Sequence, residues 1–370
     1  MISFPRTSAF VRLPALLACL GLALGLGLAA PSSASANPGL EGGRNLALGG
    51  ATRASATGAS AFYANPAAMS MSRSIEVATD YQAAVERNSH GFGIAAVDSM
   101  NSPRVALGLG YSTMIGVPKI GFQELGAESP RELKMSHRAQ EVGLGLSVVI
   151  LKRWLVLGVK PKYQSSSLRF VDSDEVRRDA QPTLHAFGVD VGASMSILGW
   201  VNLAFVGYNL NGPKEPAYTA DTGPKLDPFE LEPGSFDPKY LPRISDYPRG
   251  FAHGVAVLPF RSLRLSINFD GAYDVTTYAA DDKFIRKTYG GSGEYILGKL
   301  AVRLGGGWDS RGRGSEDDRG YISGGIGVLK EATPGKVGLV ATVGFSRDLS
   351  GLLPQTYLGA NVGLRFNPGF

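Results

Sequence analysis

"YLGANVGLRFN", Tyr357 to Asn367, changes character at every step. Successive side chains of an extended strand point to opposite faces. Leu358, Ala360, Val362, Leu364 and Phe366 therefore share one face, which Phe370 continues. Tyr357, Gly359, Asn361, Gly363, Arg365 and Asn367 share the other. The first face suits lipid and the second suits water. The same rhythm runs upstream. Leu263, Leu265, Ile267, Phe269 and Tyr273 alternate with Arg264, Ser266, Asn268, Asp270 and Asp274. Leu300, Val302, Leu304 and Trp308 alternate with Ala301, Arg303, Gly305 and Asp309, and Val337, Leu339, Ala341, Val343 and Phe345 with Gly338, Thr342, Gly344 and Ser346. A soluble sandwich also alternates, but its strands average about 5–6 residues. These run to about 10 or more, the length that crosses a bilayer at a tilt.

Connection lengths point the same way. Short links at Lys152-Arg153, Leu198-Gly199, Arg261-Ser262 and Gly298-Lys299 alternate with long polar ones over 116–137, 171–181, 211–247 and 311–319. Tight turns at one end and long loops at the other are the pattern of outer-membrane barrels. The fold class predicted is all-β: a transmembrane antiparallel β-barrel of about fourteen strands, from Ser74–Glu86 to Gln355–Asn367, with both termini in the periplasm of a Gram-negative bacterium. Trp154 and Trp200 fall on lumen parity under strict alternation. Either a bulge shifts the register there or they line the periplasmic mouth.

Composition agrees. With 49 glycines and a charged fraction of 19%, below the usual quarter, the chain is a poor candidate for solvated disorder. Gly weakens helices and suits strands that approach other backbones closely. Residues 1–36 have the parts of a secretory signal peptide: Arg6 and Arg12, the apolar run from Leu13 to Ala30, and Ser33-Ala34-Ser35-Ala36 as the cleavage site. Cys19, the one cysteine, lies inside this leader, so no disulfide framework is available to the mature chain. The remaining basic excess is small and argues against a nucleic-acid partner.

Residues 37–73 do not alternate. "LALGGATRASATGASAFYANPAAMS", Leu46 to Ser70, is small and nearly uncharged, with helix-friendly spacing at Ser60–Ala64 and a breaker at Asn65-Pro66. It reads as a short plug in the lumen of a barrel formed by 74–370. Asn65-Pro66 is a hinge in a mobile hatch or a rigid turn into the first strand. Phe62 and Tyr63 touch a greasy ligand or pack the plug against the wall.

Leu48-Gly49-Gly50-Ala51, Ser60-Ala61-Phe62-Tyr63 and Asn65-Pro66-Ala67 together resemble the FadL family of outer-membrane transporters for hydrophobic compounds and the related PorV-like barrels. Gly293-Glu294-Tyr295 with Leu300 to Gly307 is similar to a strand pair of PorV-like members. At Ala56-Thr57-Gly58 the chain lacks the acidic residues usual in the family. The resemblance implies a fourteen-stranded barrel with a plug. It also implies either passive uptake of hydrophobic small molecules such as fatty acids, or a PorV-like scaffold that holds surface or secreted proteins without transport.

No catalytic constellation stands out: His90, His137, His185 and His253 lack metal-ligand spacing, and there is no serine elbow or phosphate loop. Neither enzyme activity, cofactor nor metal is expected. Gly108-Leu109-Gly110 and Gly143-Leu144-Gly145 sit inside strands, where they relieve crowding. Lys160, Lys162, Arg264, Asp270, Glu294, Arg303 and Arg365 have lumen parity, where they steer a carboxylated ligand or pair as a polar barrel interior ordinarily does. Phe366 and Phe370 resemble the signal read by barrel-assembly machinery. The expected partners are that machinery, outer-membrane lipid and lipopolysaccharide, and a hydrophobic small molecule.

Overall fold

The computed structural model describes residues 42–86, 88–116, 119–122, 131–151, 154–171, 177–211, 247, 249–259, 264–275, 285–310, 318–332, 336–351 and 354–367. The predicted signal peptide and Phe370 lie outside them. Among the described residues, fourteen antiparallel strands form one closed sheet: β1 Ile75–Ala84, β2 Ser89–Asp98, β3 Val105–Gly116, β4 Arg131–Leu151, β5 Leu155–Val171, β6 Arg177–Ile197, β7 Val201–Tyr208, β8 Gly250–Val257, β9 Leu265–Asp274, β10 Arg286–Leu297, β11 Leu300–Ser310, β12 Arg319–Lys330, β13 Lys336–Asp348 and β14 Thr356–Asn367. Lys119–Phe122 continues β3 alongside β4. Each strand pairs with its neighbour in sequence, and β1 pairs with β14 from Ile75 opposite Phe366 to Ala84 opposite Tyr357. The barrel is closed. Closure leaves no unpaired edge, which a sheet in hydrocarbon requires.

The outer face is an apolar belt. Val77, Phe92, Leu109, Leu144, Phe205, Leu304, Val343 and Leu364 are all exposed, while the alternate positions Glu76, Asp80, Lys160, Asp190, Asp270 and Arg303 are buried inside. This reverses the arrangement of a soluble protein, and a surrounding bilayer accounts for it. The predicted face of β14 appears as read: Leu358, Val362, Leu364 and Phe366 point out. Trp154 lies in the turn between β4 and β5 and is half exposed. Strict alternation fails before it, because the β4–β5 register shifts between Val149 and Leu151 and puts both Ile150 and Leu151 on the surface. Links over 152–154, 198–200 and 298–299 mark the turn end of the barrel, and those over 123–130, 172–176 and 209–249 mark the loop end. The 85–88 link, at the loop end, is short.

Inside runs the N-terminal segment. Helix α1 (Gly42–Ala47) lies against β11 to β14 and β1. Helix α2 (Ala59–Ala64) lies against β1 to β3, and the 3-10 turn Pro66–Met71 against β3 to β6. The segment thus crosses the lumen from wall to wall before it becomes β1. Ala47, Leu48, Ala51, Ala61, Ala67 and Met69 are fully enclosed.

Candidate functional site

The wall accommodates the plug by omitting side chains. Gly108 stands opposite Gly145 and Gly110 opposite Gly143 across β3 and β4, so four glycines make one smooth patch facing the lumen. The Phe62 ring and the Met69 thioether occupy it. A Cβ on Gly108 would come within 2.9 Å of Phe62 Cδ2, and one on Gly145 within 2.6 Å of Met69 Cε. Further round, Gly158 faces Ala67, Gly305 faces Leu48 and Gly325 faces Ala47 in the same way. The predicted relief of crowding is therefore specific: these glycines admit the plug.

Polar contacts secure it. Phe62 meets Tyr63 edge to face at 5.2 Å, and the Lys160 ammonium lies 5.1 Å from the Phe62 centroid. The Tyr63 hydroxyl sits 2.8 Å from the Ile94 carbonyl and 2.9 Å from that of Tyr111, reaching the β2–β3 ladder from inside. Burial, then the nearby charges of Asp80 and Glu141, push its pKa up, so Tyr63 remains a hydrogen-bond donor. Asn65 is fully buried. Its amide donates to Ser194 Oγ (2.8 Å) and the Arg53 carbonyl (3.2 Å), and its side-chain oxygen accepts from the Ala67 N–H at 3.1 Å. This caps the 3-10 turn, with Pro66 as its first residue.

Three charge clusters surround these contacts. Arg44 donates to both oxygens of Glu294, at 2.9 and 3.3 Å, and Arg303, directly across the β10–β11 ladder, binds the same carboxylate and donates to Thr342 at 3.1 Å. The Arg53 guanidinium lies 3.2 Å from Asp270 and donates to the Tyr208 hydroxyl at 3.0 Å. Its backbone N–H also donates to Asp270, at 2.8 Å. Burial works against the Arg53 charge, but Tyr208 and Asp270 outweigh it and hold its pKa above the ordinary value. Lys160 and Lys162 each lie within 3.1 Å of both Glu141 and Asp190. All four side chains are buried. Arg365 donates to Glu76 at 2.9 Å.

Of the seven lumen charges read from parity, six face inward. Arg264 does not line the interior: it is exposed in the turn before β9. Parity gives the direction of a side chain but not its height, and this one stands at the mouth. The sequence reading missed Arg44, Arg53, Glu141 and Asp190. The last two carry the same inward-parity signal that identified the lysines. The space beside Gly58 is taken by the Glu76 carboxylate, supplied by the wall. Three histidines face outward, stacked on tyrosines: His90 on Tyr81, His185 on Tyr163 and His253 on Tyr273.

A cavity of about 200 Å³ lies between plug and wall. Met71, Leu258, Ile296, Leu329 and Val340 form its apolar side, while Arg44, Glu76, Asp80, Glu294 and Arg365 contribute charge. Most of its wall residues belong to the half of the barrel towards the turn end.

No family model matches the sequence, and no curated protein matches it. Solved structures match the whole architecture. The chain is similar to the CymD monoaromatic hydrocarbon channel at TM-score 0.59 and 11% identity, over 89% of this chain and 97% of that one. It is similar to the Pseudomonas putida toluene transporter TodX at 0.56 and 12%, over 91% and 100%. It is also similar to a Pseudomonas aeruginosa FadL homologue at 0.51 and 13%, over 91% and 98%. The fold is that of a FadL-like barrel. At these identities the likeness rests on architecture. In this FadL-like barrel the plug contacts above are those of the chain's own residues.

Proposed function

We propose that this chain is an outer-membrane channel for passive uptake of hydrophobic small molecules, with residues 42–73 as its hatch. The observation that carries the reading is the cavity beside a plug whose described residues meet the wall through side-chain hydrogen bonds, ion pairs and close packing. An apolar cavity of about 150 Å³ accepts benzene, so about 200 Å³ has the volume for a one-ring compound, which would lie on the apolar side formed by Met71, Leu258, Ile296, Leu329 and Val340, away from the charged residues. The shared fold with proteins named as hydrocarbon and toluene channels supports the same class. A ligand enters from the loop end, where lipopolysaccharide surrounds the barrel. It passes Phe62 and Tyr63 when the plug shifts, and leaves laterally or past the turn end on the periplasmic side, where both termini lie. Fatty acids belong to this proposal as candidate cargo beside one-ring hydrocarbons.

Deleting residues 49–64 while keeping every strand tests it. The outward belt carries insertion and the plug carries the seal, so the variant assembles as a heat-modifiable band and conducts far more than the parent in planar bilayers. Toluene uptake into reconstituted vesicles, saturable with the intact protein, becomes linear with concentration. If the intact protein takes up neither toluene nor a fatty acid, and the deletion leaves conductance unchanged, the channel reading fails.

A further inference from the structure

Among the described residues the two ends of the barrel carry charge differently, although one exposed loop-end cation, Lys287, makes no ion pair. At the loop end Arg286 pairs with Asp309 at 2.8 Å, Arg319 with Asp309 at 2.9 Å and Asp348 at 3.3 Å, and Arg347 with Glu86 at 2.5 Å. At the turn end Arg73, Arg104, Arg264, Lys299, Lys330 and Lys336 are all exposed, and none of the six makes an ion pair among the described residues. The described acids nearby are Asp98, which accepts from the Met100 and Asn101 amides, and Glu331. These cations also adjoin the apolar belt. Lys299 lies between exposed Leu297 and Leu300, Lys336 precedes exposed Val337, and Lys330 follows Val328 on the outward parity of β12. A lysine there lays its methylene stem on the apolar wall and lifts its ammonium to headgroup height. Trp154, half exposed in a turn at the same end, suits an interface as well.

We propose that this rim binds the phosphate headgroups of anionic phospholipid in the leaflet at the turn end, fixing the depth of the barrel in the bilayer. The proposal does not depend on what crosses the lumen. Charge complementarity favours an anionic surface, and continuity with the lipid-facing belt favours lipid over an acidic protein. Unlike Arg286, Arg319 and Arg347 at the loop end, these cations face no carboxylate partner among the described residues, so their field is open to such a surface.

The test is native mass spectrometry of the full mature protein released from mixed micelles containing equal phosphatidylglycerol and phosphatidylethanolamine. The parent should retain phosphatidylglycerol preferentially. Arg73→Gln, Arg104→Gln, Arg264→Gln, Lys299→Gln, Lys330→Gln and Lys336→Gln combined should lower that preference by about tenfold or more, as should 1 M salt, which cuts the screening length to about 3 Å. Lys287→Gln, at the loop end, should leave it unchanged. A charge-conserving set exchanging Arg and Lys at the six positions should retain it. If the six-fold variant gives no heat-modifiable barrel, Lys299→Gln with Lys330→Gln and Lys336→Gln replaces it, with a several-fold loss expected. An unchanged lipid ratio in a folded variant, or no preference in the parent, overturns the proposal. Loss of an acidic protein partner without a change in lipid ratio overturns it equally.

Discussion

Gly110→Ala adds one methyl group where the barrel wall meets the Phe62 ring of the plug. Its Cβ would stand 2.8 Å from Phe62 Cδ1 and 3.0 Å from Cζ, with Cε1 nearer still. Ordinary contact begins at 3.4 Å, so the ring must retreat by about 1 Å. It has little room: Phe62 is buried, Gly143 lies under its other edge and Lys160 stands at its face. Overpacking of this kind costs about 1–3 kcal/mol. The strain falls on the seated plug and not on the lipid-facing belt. The population with the plug displaced should therefore rise by about 5- to 150-fold. Because the one cysteine lies in the predicted leader, a single Ser55→Cys reporter reads this as maleimide labelling rate, alongside bilayer conductance. Gly293→Ala is the control, since its Cβ meets nothing within 4 Å. Pairing Gly110→Ala with Phe62→Leu should recover part of the parent's protection. If Gly110→Ala labels and conducts like Gly293→Ala, Phe62 is not seated on the glycine patch and the hatch argument is wrong.

Lys160→Met leaves two buried carboxylates, Glu141 and Asp190, to share Lys162; breaking a buried ion group costs about 3–5 kcal/mol, read as a lower thermal midpoint of the heat-modifiable band. Glu86 lies in the turn after β1, where hydrogen bonding from the Thr356 N–H, then the Thr356 hydroxyl and Arg347, holds its pKa down at about 2. A depressed carboxylate stabilises the fold above its unfolded pKa and loses that contribution as pH falls through the folded one. The parent and Glu86→Gln should therefore differ in midpoint at pH 7 and converge between about pH 4.5 and 2; a difference that persists below pH 2 would contradict the assignment. Deleting Phe370 should lower the yield of assembled barrel more than deleting a residue from 311–319; equal yields would count against a terminal assembly signal.

Strand number, lipid-facing positions and the place of the plug were legible in the sequence. Each follows from a local rule: a strand repeats every two residues, and a bilayer demands apolar side chains on one face over a fixed length. The alternation of β14 and the break in alternation before residue 74 needed no knowledge of neighbours. What those residues touch depended on closure. Gly108 and Gly110 read only as small residues until β3–β4 register set them opposite Gly145 and Gly143 and the plug brought Phe62 onto all four. Arg44 and Glu294 are 250 positions apart, and no local pattern relates them. Arg264 shows the converse, because parity assigned it to the lumen while the start of β9 placed it in a turn. Side-chain direction is a property of the strand alone. Depth, pairing and the seal belong to the ring, since they exist only once β1 has found β14 and the segment before it is caught inside.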